Sequence, residues 1–399
     1  MSEIKEKNEP LNKNNKVPKL RFPYFFTEWT KSSFGDAVSL SKEKYNPSKC
    51  NDKKIDIEMD SIESNTGRLL IKYSSSDYNS IKNIFSSNSI LYGKLRPYLR
   101  KFYKATFEGV CSSEFWVFNP SQTTQDFLYY FISTDYFNIN ANKTCGTKMP
   151  RAEWDKVKEL HFYYPSKEEQ IKIANFLEYI DKKIILTNNK LDILKKYKKG
   201  LAKEAIKDTI LYWKNGIGNA TALSNYLTEI NEYSEKDGTY PHVTLSTEGI
   251  SEKSDRYDRD FLVKDDNKKY KVTHINQLCY NPANLKFGVI CINRYGDGIF
   301  SPIYVTFKVK NIDLEYLELI VTSIDFNRYS MKYQQGTVYE RMSVSPEDLC
   351  KIKIVITDEN KQKNISLTAN ILNKKISKLE SELNNLMLIK SNLLNNMFI

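Results

Sequence analysis

The sequence predicts an α+β fold in which two mixed α/β domains are separated by two long helices that form an antiparallel coiled coil. Three observations favour this architecture: an internal repeat at an offset of about 190 residues, two apolar heptad patterns, and short strand-like segments between them. Because both halves follow one plan, we expect an internal duplication with pseudo-two-fold character. A chain of 399 residues is long enough for two or three domains of ordinary size.

The internal repeat sets the predicted domain boundaries. The matching segments are 88–92 with 276–280, 109–118 with 298–307, and 146–151 with 336–341. Each copy is an aromatic-rich region followed by a helical one. The predicted segments are a flexible leader at 1–19, a first domain at 20–165, a central helix at 166–206, a second domain at 207–357 and a distal helix at 358–399.

The two helical segments carry the clearest pattern. Apolar residues recur at alternating steps of three and four for about four heptads, which is typical of a coiled-coil seam. The predicted seam residues are Ile173, Leu177, Ile180, Ile184, Leu191, Leu194 and Leu201 in the first helix, and Ile365, Leu372, Ile376, Leu379, Leu383, Leu386 and Leu393 in the second. Lys198 and Lys390 interrupt the seam at equivalent positions, and Ser166 with Glu169 fits a capping box. A homodimerisation coil is the alternative, but duplicated seams favour pairing within one chain.

The two globular regions read as mixed α/β. Short alternating apolar stretches bounded by Gly, Asn, Pro and Ser predict strands, and two longer apolar segments predict helices. The predicted strands are 109–118, 160–164, 288–293, 303–309 and 351–356, and the predicted helices are 124–137 and 314–323.

Several classes of protein are disfavoured. The first residues lack an apolar signal region, and no stretch approaches the roughly 18 apolar residues of a spanning helix, so we expect a cytoplasmic protein with no membrane partner. Six cysteines without a C-x-x-C pair and three scattered histidines favour neither a disulfide framework nor a zinc site. Phosphate-loop, nucleophile-elbow and dinucleotide motifs are absent from the sequence. We therefore expect no catalytic residues, no metal and no cofactor in this chain.

The net charge of +11 suggests a polyanionic partner, but it is spread thinly, and residues 207–357 are slightly acidic. Nucleic-acid contacts must therefore come from local patches. In residues 92–104, basic side chains interleave with tyrosines; the candidates there are Lys94, Arg96, Tyr98, Arg100 and Lys101. Lys and Arg attract phosphates in any sequence, whereas a fixed Arg fork can read guanine. A solvated surface loop is the alternative interpretation.

The equivalent stretch of the second copy is richer in amides, which can read adenine. Its candidates are Asn281, Asn284, Lys286 and Arg294. The loops that open at Gly146 and Gly336 form a second pair of candidates, with Thr147, Lys148 and Arg151 in one and Thr337, Tyr339 and Arg341 in the other. Hydroxyls, backbone N–H groups near glycine and an Arg suit contacts to phosphates or bases. A turn whose Arg packs on the domain surface is the alternative.

Four segments carry a likeness to a known family. They are residues 20–29, residues 90–100, Gly146-Thr147, and the run from Pro165 through Asp181, which is the most specific. Together they resemble the DNA-specificity subunit of type I restriction-modification systems, and the likeness extends over essentially the whole chain. The resemblance implies two target-recognition domains separated by two helices that pack antiparallel and dock methylation subunits. It implies that those partners, two in number, hold S-adenosylmethionine and an Asn-Pro-Pro motif for adenine methylation, and that separate restriction or translocase subunits cut DNA.

The expected function is therefore sequence-specific binding of double-stranded DNA at a bipartite, asymmetric target. Two alternatives stay open at this point. One is a self-sufficient DNA methyltransferase, for which Tyr280-Asn281-Pro282-Ala283 is a near miss that lacks the second proline and an upstream glycine-rich loop. The other is a coiled-coil scaffold without a nucleic-acid role. The second helix departs from the family pattern, since Lys361, Ser366 and Thr368 stand where Glu169, Ala174 and Phe176 stand in the first. Two outcomes are open: its outer face binds a methylation subunit less tightly, or that subunit tolerates the change.

Overall fold

The computed structural model describes residues 17–49, 52–75, 79–143, 149–235, 238–253, 269–336 and 342–399. They form two compact units. The first unit contains the described residues up to Asn188 together with Glu382–Ile399, and the second unit is Asn189–Ser381. Each unit is described by itself below.

The first unit contains a mixed set of short strands and helices before the first long helix. Its elements are β1 (Thr30–Ser33), α1 (Phe34–Ala37), β2 (Val38–Leu40), β3 (Lys44–Tyr45), β4 (Ile55–Ile57), β5 (Tyr73–Ser74), β6 (Lys82–Phe85), β7 (Ile90–Gly93), β8 (Phe102–Lys104), β9 (Gly109–Ser112), β10 (Phe115–Pro120), α2 (Gln125–Ser133), α3 (Asp135–Ala141), α4 (Trp154–Val157), β11 (His161–Tyr164) and the beginning of α5 (Lys167–Asn215).

The second unit repeats this order, with a 3-10 turn at Leu223–Asn225 in the place of α1. Its elements are β12 (Ala220–Ala222), β13 (Leu227–Ile230), β14 (Tyr233–Ser234), β15 (Val243–Ser246), β16 (Gly249–Glu252), β17 (Tyr270–Thr273), β18 (Leu278–Tyr280), β19 (Ile290–Ile292), β20 (Gly298–Phe300), β21 (Val305–Val309), α6 (Leu314–Val321), α7 (Ile324–Ser330), α8 (Pro346–Lys351), β22 (Lys353–Val355) and the beginning of α9 (Glu359–Met397).

Sheet topology confirms the duplication. In the first unit β1 pairs with β11 and a four-stranded sheet has the order β2-β10-β7-β8; in the second unit β12 pairs with β22 and the order is β13-β21-β18-β19. The register is also repeated, since Ile90 pairs with Phe118 and Leu278 pairs with Phe307. The remaining strands of the first unit form one sheet of order β3-β6-β9-β4-β5, and those of the second form β14-β17-β20 and β15-β16. The two copies thus share the topology of the four-stranded sheet and of the two-stranded pair, and they differ in how the remaining strands are grouped.

Each unit has a core that is closed by both long helices. In the first unit an aromatic cluster around Phe34 packs against Leu177 of α5 and against Met397 at the end of α9. In the second unit the core takes in Ile206 of α5 and Ile365 of α9. The start of one helix and the end of the other therefore bury apolar surface on the same domain, which ties the domain to the coiled coil.

Ion pairs show that the helices run antiparallel. In the first unit Lys390 Nζ lies 2.6 Å from Asp181 Oδ1. In the second unit Lys195 Nζ lies 2.8 Å from Glu380 Oε1, and Lys361 Nζ lies 3.3 Å from Glu204 Oε1. Across these ion pairs, the residue number increases along α5 while that of the partner decreases along α9. The predicted antiparallel pairing is therefore confirmed. Of the predicted seam residues, Ile173, Leu177, Ile180, Leu191 and Ile365 are buried, and the others are half-buried.

Two details of the helices differ from the sequence prediction. The first helix continues to Asn215 rather than ending near 206, because Ile206 and Thr209 are buried and Trp213 stacks on Tyr329 with ring centroids 3.9 Å apart. This extension packs on the second domain instead of the partner helix, so it carries no heptad signal. The capping box is half formed: the Glu169 N–H donates to Ser166 Oγ at 3.4 Å, but the Glu169 carboxylate binds the Arg21 guanidinium at 2.7 Å.

Candidate nucleic-acid interface

The loop that follows β7 places the first cluster of predicted contacts. A 3-10 turn at Pro97–Leu99 is flanked by Arg96 and Arg100, whose φ angles are 50° and 47°. Left-handed backbone is unfavourable for residues other than glycine and persists only where the surroundings hold it. Here backbone hydrogen bonds hold it, since Arg100 N donates to Pro97 O at 2.9 Å and Gly93 N donates to Lys101 O at 2.7 Å. The backbone of this loop, residues 93–101, is therefore held in one conformation.

A second segment is bonded to this loop. Arg96 N donates to Pro150 O at 2.8 Å, and Ala152 N donates to Lys94 O at 2.8 Å. These two bonds place Arg151 beside Lys94 and Arg96. The structure therefore brings residues of both predicted patches of the first domain to one surface. This surface, formed by residues 93–101 and 150–152, is the loop platform of the first unit.

The candidates on this surface have different environments. Arg96 and Tyr98 are exposed and Lys94 is half-buried. Arg100 Nη1 instead donates to Asp135 Oδ1 at 2.6 Å, and that hydrogen bond lowers the pKa of the Asp135 carboxyl. Lys101 Nζ donates to the Met59 carbonyl, so Arg100 and Lys101 are used by the fold. Their assignment to DNA stays a prediction that this geometry does not favour.

The second unit builds the same pair of segments from different residues. Asn281 N donates to Val289 O at 3.0 Å, and Val344 N donates to Pro282 O at 3.2 Å, as their equivalents do in the first unit. A 3-10 turn at Leu285–Phe287 ends at Gly288, which takes the left-handed position of Arg100 with φ 80°. The loop platform is therefore duplicated while its polar side chains are not.

The candidate residues of the second loop also differ in their exposure and in their hydrogen bonds. Asn281 is buried, and its Oδ1 accepts the N–H groups of Ala283 and Asn284 at 3.1 and 3.2 Å. Lys286 is exposed, with Nζ 4.9 Å from the Phe287 ring centroid, and Asn284 is half-buried. Asn281 holds a turn and does not present its amide to a base, so the adenine-reading role predicted for it is not favoured.

Arg294 is likewise engaged by its own domain. Its guanidinium binds Glu315 and donates from Nη1 to Asn276 Oδ1 at 3.0 Å. Other predicted contacts, namely Gly146, Thr147, Lys148, Thr337, Tyr339 and Arg341, lie outside the described residues.

The sequence prediction missed Glu114. Glu114 lies in the β9–β10 turn, and its carboxylate accepts Arg151 Nε at 3.1 and 3.0 Å and Arg151 Nη2 at 2.8 Å. This ion pair raises the pKa of Arg151. Glu114 and Arg151 are far apart in the chain and follow no motif, so no sequence signal pointed to the pair.

The cysteines of the described residues are free thiols. Cys111, Cys279 and Cys291 are buried free thiols, and burial raises the pKa of Cys279 to about 12; Cys50 and Cys145 lie outside the described residues. Within the described ranges, no group of three or more His, Cys, Asp or Glu side chains could hold a metal ion. In the same part of the chain, no helix has the length and apolar character needed to span a membrane.

His274 predicts a pH dependence of the second unit. Its Nδ1 lies 2.9 Å from Asp297 Oδ1 and its Nε2 lies 3.0 Å from Glu232 Oε2, and these bonds raise its pKa against a smaller effect of burial. The stabilisation is complete below the unfolded-state pKa of about 6.5 and is lost as the pH rises through the raised folded-state pKa. Because the site is partly exposed, we expect a change of about 1 kcal/mol or less in the free energy of unfolding.

The measurement is thermal unfolding between about pH 5.5 and pH 8.5, where the ring changes charge. His274→Gln should flatten the fall in stability with pH. His161→Gln, which changes an exposed histidine of the first unit, is the control and should keep the wild-type profile. An unchanged profile in His274→Gln would contradict the assignment.

The chain is similar in sequence and in fold to known DNA specificity subunits. Residues 27–196 match the family model of the type I restriction modification DNA specificity domain. The type I restriction enzyme EcoDI specificity subunit of Escherichia coli is 28% identical over 101 residues, which are 25% of this chain and 23% of that protein. The chain thus aligns with about a quarter of the length of this curated relative.

Among solved structures, the S subunit of a type I restriction-modification system from M. genitalium has the same fold. It superposes with a TM-score of 0.61 at 16% identity, over 96% of this chain and 99% of that one. The HsdS subunit from Thermoanaerobacter tengcongensis is similar over 95% of this chain and 98% of its own, with a TM-score of 0.40 and 14% identity. Residues 27–196 are thus similar to the type I restriction modification DNA specificity domain, and almost the whole chain shares the fold of a solved S subunit.

Proposed function

We propose that this chain is the specificity subunit of a type I restriction-modification complex and that it reads a bipartite, asymmetric DNA target. Residues 20–165 would read one half-site and residues 207–357 the other, and the helices at 166–206 and 358–399 would act as a spacer. The observation that carries the proposal is the duplicated loop platform. Arg96, Tyr98 and Arg151 lie on it in the first unit, and Lys286 and Phe287 in the second.

Different side chains on one platform give different base preferences. An Arg fork suits guanine, and an amide suits adenine. Because the two loops differ, the halves of the target should differ as well, which makes the target asymmetric.

The chain has a binding role in this proposal, and catalysis belongs to its partners. Two methylation subunits would dock on the helices, hold S-adenosylmethionine and methylate adenine. Restriction or translocase subunits would join the same complex. In the Tyr280–Ala283 stretch, the Asn281 amide accepts backbone N–H groups, which favours a turn over a catalytic role.

The test is to map methylated adenines in the host genome with and without the gene for this chain. We expect sites that share one bipartite sequence with a fixed unspecified gap, and we expect them to disappear on deletion and return on complementation. Replacement of residues 20–165 by the corresponding domain of a relative should then change one half-site only. Methylation that persists without the gene would refute the proposal, and S-adenosylmethionine binding by the isolated chain would favour a self-sufficient methyltransferase. If the protein shows no salt-sensitive binding to DNA, even with the partners present, a coiled-coil scaffold would be favoured.

A further inference from the structure

Glu114 joins the two segments of the first platform. Its carboxylate accepts Nε and Nη2 of Arg151, and its backbone carbonyl accepts the Lys94 N–H at 2.9 Å. Arg151 is itself held by the backbone, since Leu95 and Arg151 form an antiparallel bridge. Both ends of the Arg151 side chain are therefore fixed.

The geometry leaves part of the guanidinium free for a ligand. Arginine has five N–H donors in a planar fork. Among the described residues, Arg151 bonds to Glu114 through its Nε–H and one Nη2–H, which leaves three donors on Nη1 and Nη2 without a partner in that part of the chain, and the Arg151 side chain is 49% exposed. That remaining edge has the spacing for two acceptors side by side.

A guanine edge in the major groove offers such a pair of acceptors, O6 and N7. A phosphate attracts any nearby cation and needs no fixed orientation, whereas discrimination between bases depends on where the fork points. A held Arg fork next to the exposed Arg96 and Tyr98 is therefore suited to base reading rather than to general attraction.

We infer that Glu114 is a positioning residue that holds Arg151 to read a guanine in the half-site of the first domain. This inference rests on the proposed function and adds a residue and a base to it. The alternative is an ordinary surface ion pair, which contributes about 0–1 kcal/mol to stability and nothing to recognition.

The experiment uses the full chain assembled with the methylation subunits of its host and a pool of DNA duplexes in which both half-sites are randomised. Bound and unbound duplexes are sequenced. The wild type should prefer guanine at one position, and Arg151→Ala should reduce that preference by about 5- to 150-fold, the equivalent of about 1–3 kcal/mol.

Glu114→Ala should relax the same position, Glu114→Gln should relax it less because an amide oxygen still accepts one N–H, and the Arg151→Ala/Glu114→Ala pair should add little to Arg151→Ala, since the two residues act as one unit. Glu63→Gln is the matched control: it removes one acidic charge from another exposed pair of the first unit, in which Arg68 Nε lies 3.1 Å from Glu63 Oε2. It should leave every base preference unchanged.

Three results would overturn the inference. In the first, Arg151→Ala weakens binding to all sequences equally and lowers its salt dependence, as loss of a phosphate contact would. In the second, Glu114→Ala and Glu114→Gln change only thermal stability and leave the guanine preference intact. In the third, Glu63→Gln relaxes the same position as Glu114→Gln, which would make the effect one of net charge. A wild type with no base preference anywhere in the pool would instead refute the proposed function itself.

Discussion

Insertion of one heptad into each long helix should lengthen the unspecified gap of the DNA target while both half-sites stay the same. Seven residues add about 10 Å to an α-helix, which is the length of about three base pairs of DNA. Duplication of residues 184–190 in α5 and of residues 376–382 in α9 keeps the seam in phase on both helices. Methylation of the original target should then fall to background, and a target with a longer gap should become methylated.

The measurement is methylome sequencing of a host that carries only the altered gene. A heptad inserted into α5 alone is the control: it mismatches the lengths of the two paired helices, and we expect loss of methylation rather than a new gap. A target with an unchanged gap after the double insertion would refute the spacer role. A changed half-site would refute the separation of recognition from spacing.

Lys82→Met should destabilise the first unit by about 3–5 kcal/mol, because it removes one partner of a buried ion pair. Lys82 in β6 is 1% exposed, and its Nζ lies 2.9 Å from Oδ2 of Asp56, which is fully buried in β4. Lys82 also binds Glu58. Both strands flank β9, the strand that leads into the turn of Glu114. Urea unfolding, followed by hydrogen exchange of the β6 and β9 amides, measures the loss.

The second unit offers a matched control. Lys271 of β17 is also 1% exposed and occupies the equivalent strand, but its Nζ donates to the neutral Asn231 Oδ1 at 2.7 Å. Burial lowers the pKa of Lys271, and the hydrogen-bond partner of its Nζ is a neutral amide rather than a buried carboxylate. Lys271→Met should therefore cost much less than Lys82→Met. The double change Lys82→Met/Asp56→Leu should recover much of the loss. Equal costs for the two lysines would contradict the buried-pair explanation.

The sequence carried enough information to predict the architecture. The repeat offset anticipated the shared topology of the two units, and the spacing of residues such as Leu177 and Ile365 anticipated which helix faces are buried. These features depend on the spacing of apolar residues and on the internal repeat, and both can be recognised directly in the sequence. The segment boundaries stay predictions, and the helix that was expected to end near 206 continues to Asn215.

The candidate interface was only partly predictable. The position of the loops followed from the repeat, but the roles of individual polar residues did not. Arg100, for example, is bound to Asp135, which lies 35 residues further along the chain, and Arg294 is bound to Glu315, which lies 21 residues further along. The sequence does not reveal these ion pairs, so the sequence prediction treated both arginines as available for DNA.

By itself, then, the sequence determined a duplicated α+β chain with two paired helices and located the two loops that face a nucleic-acid partner in our proposal. Only the tertiary structure decided which side chains on those loops remain free, and it introduced Glu114, which lies 37 residues from Arg151. The physical reason is that apolar periodicity is set by neighbours three or four residues apart, whereas a hydrogen bond depends on which distant strand or helix the fold brings within 3 Å.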